Sequence, residues 1–360
     1  MLKQELLRRA LPALPETREE MIEIIDREMY GTLPSADFTL SASKPTVISA
    51  YYANRTVTHS EVTLTLDFGD GRTHAFPVNR LLHADGKPRP TVILNNFEPM
   101  GASRYFPIEE LSEFDVNFIA LCYKDISSDD GDFSTGLAPI LLPNGQDTDT
   151  TCGKVAIWAW ANMRVLDYAL TLPETDPKNV AIVGHSRLGK TALYTGMHDE
   201  RFRFVYSNAA GCAGDTLARG NTGFNRPHWV YEGGELIEDI VKNFPYWFCK
   251  KYHKHAETSI PDGFDQHFLL ASIAPRYLFV GSCATDDWAD PKGEQLCALA
   301  AGEAWERQGL SGLLNANDRY IEMYEERIEG HIGIAKANTF HFLTRHNWAS
   351  FLRFMQKHLA

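Results

Sequence analysis

No run of uncharged apolar residues in this 360-residue chain approaches the roughly 20 that a membrane-spanning helix needs, so no membrane partner is expected. The N-terminus, Met1-Leu2-Lys3-Gln4-Glu5-Leu6-Leu7-Arg8-Arg9, lacks both an unbroken apolar stretch of about 7–15 residues and a small-residue cleavage site. It offers no signal peptide and points to the cytoplasm, or to secretion if a leader has been removed. Cysteine pairs at C-x-x-C spacing are missing: Cys122, Cys152, Cys212, Cys249, Cys283 and Cys297 are scattered. They carry no metal signal and only a weak disulfide one, and are expected to be small buried hydrophobes. Positive charge is in short supply, with 35 Lys and Arg against 47 Asp and Glu and a net charge of -12. That argues against a nucleic-acid partner, whose footprint would be a basic patch. Internal repeats, low-complexity tracts and a linker between independent domains are absent as well.

A hydrophobic fraction of 44% can fill a large core at this length. Residues 1–35 are charged and amphipathic, as in Glu19-Glu20-Met21-Ile22-Glu23-Ile24-Ile25, which predicts helix. From about 36 to 90 the pattern alternates, as in Glu61-Val62-Thr63-Leu64-Thr65-Leu66-Asp67-Phe68 before Gly69-Asp70-Gly71, and predicts an antiparallel hairpin at one sheet edge. Continuous apolar runs then follow at 91–94, 118–121, 180–183, 204–206 and 277–280, suited to strands covered on both faces. A helix is expected over 154–172, where Ile157, Ala161, Val165, Tyr168 and Leu172 recur at helical spacing and Pro173 stops it. Alternating strands and helices predict a mostly parallel, doubly wound sheet. Residues 211–263 mix Gly, aromatic and charged residues without a strand period, and are expected to form an insertion that shapes a cleft over the mouth of the sheet.

Gly184-His185-Ser186-Arg187-Leu188-Gly189-Lys190-Thr191 fits two catalytic templates. Read as G-x-x-x-x-G-K-T it is a phosphate-binding loop, whose backbone N–H groups would cradle a nucleotide. Read as a strand, a Gly-flanked turn and a helix, it is a nucleophile elbow that presents Ser186. A phosphate loop needs a later strand ending in Asp to hold magnesium, and the next strand ends in Ser207-Asn208-Ala209-Ala210. About 180 residues of α/β pattern also precede the loop, so the elbow is favoured, although Leu188 stands where G-x-S-x-G has its second glycine.

A serine hydrolase of this kind needs nucleophile, acid and His in that chain order. Ser186 follows its strand, Asp286, Asp287 and Asp290 follow the strand at 277–280, and His341 lies in a loop after an apolar run at 331–336. Any of the three aspartates can serve as the acid on this pattern, and each can instead shape a turn or cap a helix. His331 opens an apolar run and suits packing; His346 begins the last helix; His341 is left as the general base. His253-Lys254-His255 reads as a solvated surface, and no metal or cofactor is assigned. Trp158, Trp160, Trp229 and Trp247 read as core or cleft wall. The pattern predicts one α/β-hydrolase domain over 1–360, a three-layer sandwich with an antiparallel N-terminal edge and an extension over 1–90.

The elbow also resembles that of carbohydrate esterase family 15, the glucuronoyl esterases. The likeness continues through Ser207-Asn208-Ala209-Ala210-Gly211-Cys212-Ala213-Gly214, Phe244-Pro245-Tyr246-Trp247-Phe248, Asp265-Gln266-His267, Ile273-Ala274-Pro275-Arg276, Asp286-Asp287-Trp288-Ala289-Asp290-Pro291 and Thr339-Phe340-His341-Phe342-Leu343-Thr344. It is closer to the bacterial branch than to the fungal one. The resemblance implies hydrolysis of a glucuronoyl or 4-O-methyl-glucuronoyl ester, with Ser186 as nucleophile, His341 as base, Arg187 at the oxyanion, and Lys190 and Trp288 on the sugar. Many members place the triad acid as a Glu after the next strand, but that place here, near Ala209, has no carboxylate. The acid is therefore assigned to Asp286, two residues before Trp288, and Glu235 or Glu232 in the insertion to sugar binding. The expected partner is a small carbohydrate ester or oligosaccharide. An acetylxylan-type esterase is the alternative within the fold; a phosphate-loop nucleotide-binding protein and a catalytically silent sugar-binding protein are those outside it.

Overall fold

Consecutive apolar residues in the central strands point to opposite faces, and each face meets its own core. Ile93, Ile119, Val180, Ile182, Val205, Leu278 and Val280 belong to one buried cluster, while Val92, Leu94, Phe118, Ala181, Val183, Phe204 and Phe279 belong to another. Strands buried on both sides give up polar alternation, which is why they read as continuous runs. These features come from a computed structural model that describes residues 2–52, 56–99, 105–107, 110–225, 230–231, 233–316 and 318–359.

The strands are β1 (Thr39–Ala42), β2 (Thr46–Tyr52), β3 (Val57–Asp67), β4 (Thr73–His83), β5 (Arg89–Asn96), β6 (Asn117–Cys122), β7 (Thr175–His185), β8 (Phe204–Asn208), β9 (Phe224–Asn225), β10 (Val230–Tyr231), β11 (Tyr277–Cys283), β12 (Glu326–Arg327) and β13 (Ile332–Ala337). Eleven of the described strands form one sheet in the order β1-β3-β4-β6-β5-β7-β8-β11-β13-β12, with β2 also on β3; β9 and β10 pair separately. Pairing is parallel from β6 through β13 and antiparallel at the N-terminal edge. The expected hairpin is β3 and β4, in register from Val57 opposite His83 to Asp67 opposite Thr73. Helices Lys154–Ala169, Arg187–His198 and Pro291–Ala301 cover one face, and helix Arg345–Lys357 covers the other through Trp348, Phe351 and Phe354. This is the three-layer α/β-hydrolase arrangement, with chain order reversing at β5.

Two readings need correction. The helix expected over 154–172 ends at Ala169. Leu172 precedes Pro173, whose ring disfavours helical backbone before it, and Thr171 and Leu172 instead close tighter turns onto Tyr168 and Ala169. His255 is buried, not a solvated surface residue. Its ring packs edge-on against Tyr252 and Phe264, and Glu28, from the N-terminal segment, pairs with Lys251 and Lys254 beside it. Trp158 and Trp160 are core residues as expected; Trp229 and Glu232 lie outside the described residues. All six cysteines are free and buried, and burial pushes every thiol above its ordinary value. Among the described residues no helix is long and apolar enough to cross a membrane.

Phe351 shows what the second core contributes. It is fully buried, with its ring 4.6 Å from Tyr206 and 5.6 Å from Phe279. Phe351→Ala is expected to cost about 3–5 kcal/mol in urea unfolding, an effect that a cost within the experimental error of wild type would refute.

Candidate active site

β7 runs into helix Arg187–His198 with a single residue between them. That residue, Ser186, has φ 59° and ψ −126°, a conformation that non-glycine residues seldom adopt and that marks functional turns. Gly184 allows it, because a Cβ there would lie 1.9 Å from the carbonyl oxygen of Leu188. The second glycine falls at 189 because that position faces β8, where a Cβ would sit 3.0 Å from both Ala210 Cβ and Ser207 Oγ; Leu188 points into the core. The Ser186 carbonyl takes the N–H groups of Gly189 and Lys190, at 2.9 and 3.2 Å. The N–H of Arg187, ahead of them, is among those a helix cannot satisfy internally, and so can meet a negative charge.

The other two predicted members arrive from neighbouring strand ends. Asp286 follows β11 and His341 follows β13, and the loops are tied by Ala284 N to Ala337 O at 2.8 Å and Thr285 Oγ1 to Thr339 O at 2.8 Å. His341 Nδ1 lies 2.5 Å from Asp286 Oδ2, and His341 Nε2 lies 2.7 Å from Ser186 Oγ. The chain carboxylate–imidazole–hydroxyl is thus continuous, and Asp286 is nearly buried while the imidazole is part exposed. Asp290 instead caps helix Pro291–Ala301 through Gly293 N. Asp287 borders a different cavity, with Lys292 and Lys336. Near Ala209 the carboxylate present is Asp215, which accepts from Ser207 Oγ at 2.7 Å and Gly211 N at 2.8 Å. His331 stacks on Tyr277 at 4.8 Å, the packing role expected of it.

Ser186 and His341 open into a cavity of about 210 Å³, walled by Arg187, Lys190, Glu235, Phe244, Trp247 and Trp288. Glu235, Phe244 and Trp247 of this wall come from the segment between β8 and β11. Lys190 is buried and donates to the Ala210 carbonyl. Burial lowers the Lys190 ammonium from its usual value. Burial likewise raises Glu235 to about 7, against the attraction of Lys190 and a hydrogen bond from the Trp288 side chain. Trp288, 37% exposed, forms the lip.

Arg187 donates through Nη1 to Asp129 Oδ2, and its guanidinium lies 4.7 Å from the Trp247 ring centre and 5.2 Å from that of Phe244. Asp129 was not picked out by sequence, and Phe244 entered only as part of a segment that carries the family likeness. Asp129 sits in Ser127-Ser128-Asp129-Asp130-Gly131-Asp132, which reads as an ordinary polar loop, and only its spatial partners mark it. Chemically, the arrangement can carry acyl transfer: a hydroxyl nucleophile, an imidazole able to take its proton, a carboxylate holding that imidazole, and N–H donors beside the reacting carbon.

A family model described as "Glucuronyl esterase, fungi" matches residues 106–309. A carbohydrate esterase from an unknown prokaryotic organism is 33% identical over 208 residues, covering 58% of this chain and 45% of its own. A 4-O-methyl-glucuronoyl methylesterase of Podospora anserina is 26% identical over 298 residues, covering 81% and 56%. The chain therefore spans about half the length of the curated relatives it matches. A glucuronoyl esterase structure from Solibacter usitatus superposes with TM-score 0.83 at 26% identity, covering 96% of this chain and 93% of that one.

The raised Glu235 has a thermodynamic consequence. A carboxyl whose folded value is about 7 against 4.5 in the unfolded chain keeps its proton more tightly when folded, so wild type loses stability as pH rises from about 4.5 to 7. Glu235→Gln cannot titrate, and its Tm relative to wild type is expected to be higher at pH 8 than at pH 5. A Tm difference independent of pH would contradict the burial cost assigned to this group.

Proposed function

Since the chain belongs to the glucuronyl esterase family, carbohydrate esterase family 15, we propose that it hydrolyses the ester between a glucuronic acid carboxyl group and an alcohol through a Ser186–His341–Asp286 triad. The observation that carries this reading is the unbroken hydrogen-bonded chain from Asp286 to Ser186 at the floor of a cavity whose wall carries Lys190 and Glu235. Ser186 Oγ attacks the ester carbonyl as His341 Nε2 takes its proton, and Asp286 holds the imidazole and stabilises its cationic form. The oxyanion is met by the Arg187 N–H and guanidinium. The imidazolium then protonates the departing alcohol, and a water activated by His341 cleaves the acyl-enzyme. Lys190 and Glu235 bind hydroxyls of the uronic acid, and the Trp288 indole offers an apolar face to the ring. The reaction requires no cofactor. The methylesterase name of the Podospora anserina relative supports a 4-O-methyl-glucuronoyl ester as one substrate.

The test compares a benzyl or methyl ester of glucuronic acid with an acetylated xylo-oligosaccharide, using wild type and Ser186→Ala. Turnover of the glucuronoyl ester by wild type alone is expected. Faster cleavage of the acetyl ester would keep the nucleophile but replace the substrate, and equal background rates for wild type and variant would reject the hydrolase. Asp286→Asn, which keeps the shape but favours the wrong imidazole tautomer, is expected to lower kcat by about 10⁴; retained kcat would move the acid to another residue.

A further inference from the structure

Arg187 has a long, flexible side chain, and a guanidinium helps an oxyanion only when its N–H groups stand where the charge develops. Resting on the esterase reading, we propose that Asp129 is the positioning residue that holds the Arg187 guanidinium in place for the oxyanion.

The Asp129 side chain is 8% exposed and receives donors from three separate parts of the chain. Its Oδ2 takes Arg187 Nη1 and Tyr123 Oη at 2.8 Å. Its Oδ1 takes Trp247 Nε1 at 2.8 Å, and its backbone carbonyl takes Tyr246 Oη at 2.9 Å. Tyr123 comes from the short helix Tyr123–Ile126 after β6, Arg187 from the elbow, and Trp247 from the cleft-wall turn Pro245–Trp247. The loop bearing Asp129 is itself fixed, because buried Lys154 donates to Ser127 Oγ at 2.7 Å and to the Asp132 carbonyl at 2.5 Å. Trp158 Nε1 donates to the Ser127 carbonyl at 3.1 Å.

The guanidinium is thereby held at Nη1 by the carboxylate and lies close to the rings of Trp247 and Phe244, which stack on each other. Nε, buried, has no hydrogen-bond partner among the described residues, so the bond from Nη1 to Asp129 leaves this donor of the fork unspent. Two effects of removing the Asp129 charge oppose each other. Arg187 would carry a less neutralised positive charge, which helps an oxyanion, but would lose its fixed place. A misplacement of about 1 Å costs roughly 10²-fold, whereas extra charge in an open cavity is screened by water. Position wins.

The experiment is a double-mutant cycle of Asp129→Asn and Arg187→Ala. It is read as kcat and KM on the benzyl glucuronate ester and as the rate of Ser186 labelling by a fluorophosphonate, whose phosphonyl oxygen takes the oxyanion position as Ser186 Oγ displaces fluoride from phosphorus. Asp129→Asn is expected to lower kcat and the labelling rate by roughly 10²-fold, with KM within about twofold of wild type. In the Arg187→Ala background the same change should add nothing. A purely structural Asp129 would instead give the same loss with and without Arg187, which overturns the proposal, as does an unchanged kcat. If Asp129→Asn does not fold, Tyr123→Phe, which takes one hydroxyl from the same carboxylate, replaces it in the cycle, and additivity with Arg187→Ala again overturns the proposal. Wild type that labels at Ser186 without cleaving the ester would reject the substrate while the labelling cycle still decides Asp129; no labelling rejects both.

Discussion

The Leu188 carbonyl occupies the space that any side chain at Gly184 would need, and the site follows from that close approach. Helix Arg187–His198 has to begin directly over the end of β7, leaving one residue to reverse the chain, and that residue is driven to positive φ. Its hydroxyl is then the outermost feature of the turn. Because β8, β11 and β13 lie beside β7 in parallel register, the loops leaving their carboxyl ends meet at the same edge. Backbone bonds between those loops set the separation of Asp286 and His341 before either side chain is considered.

The cavity gathers cations in a chain whose overall charge is negative. Each has a carboxylate from a remote segment: Asp129 for Arg187 and Glu235 for Lys190. The two pairs differ in kind. Arg187 and Asp129 touch in a direct ion pair, while Lys190 spends a hydrogen bond on the Ala210 carbonyl and meets Glu235 through the field between them. Burial opposes both charges of the second pair, so its ionisation is far easier to shift than that of a guanidinium pair.

Much of the frame was readable from residue order. Two-sided burial turns β5 to β8 and β11 into continuous apolar runs, and Ser186 and His341 stand in the chain order that the fold demands. The choice among Asp286, Asp287 and Asp290 was not readable from the local pattern, since all three lie within a single turn and only its direction separates them; the family likeness selected the residue that the geometry joins to His341. Asp129 left no trace because its partners lie at 123, 187 and 247. His255 was misread for a related reason: beside charged neighbours it looks solvated, but the lysines pair with the buried carboxylate of Glu28 while the imidazole packs on Tyr252 and Phe264.

The six sequestered thiols give the fold a built-in clock. Thiolate is the reactive form, and with every sulfur buried and its acidity suppressed, alkylation has to wait for the chain to open. Because the cysteines are spread from β6 to helix Pro291–Ala301, the order in which they are captured traces the order in which the layers part, so the breathing of separate regions is recorded without any added probe.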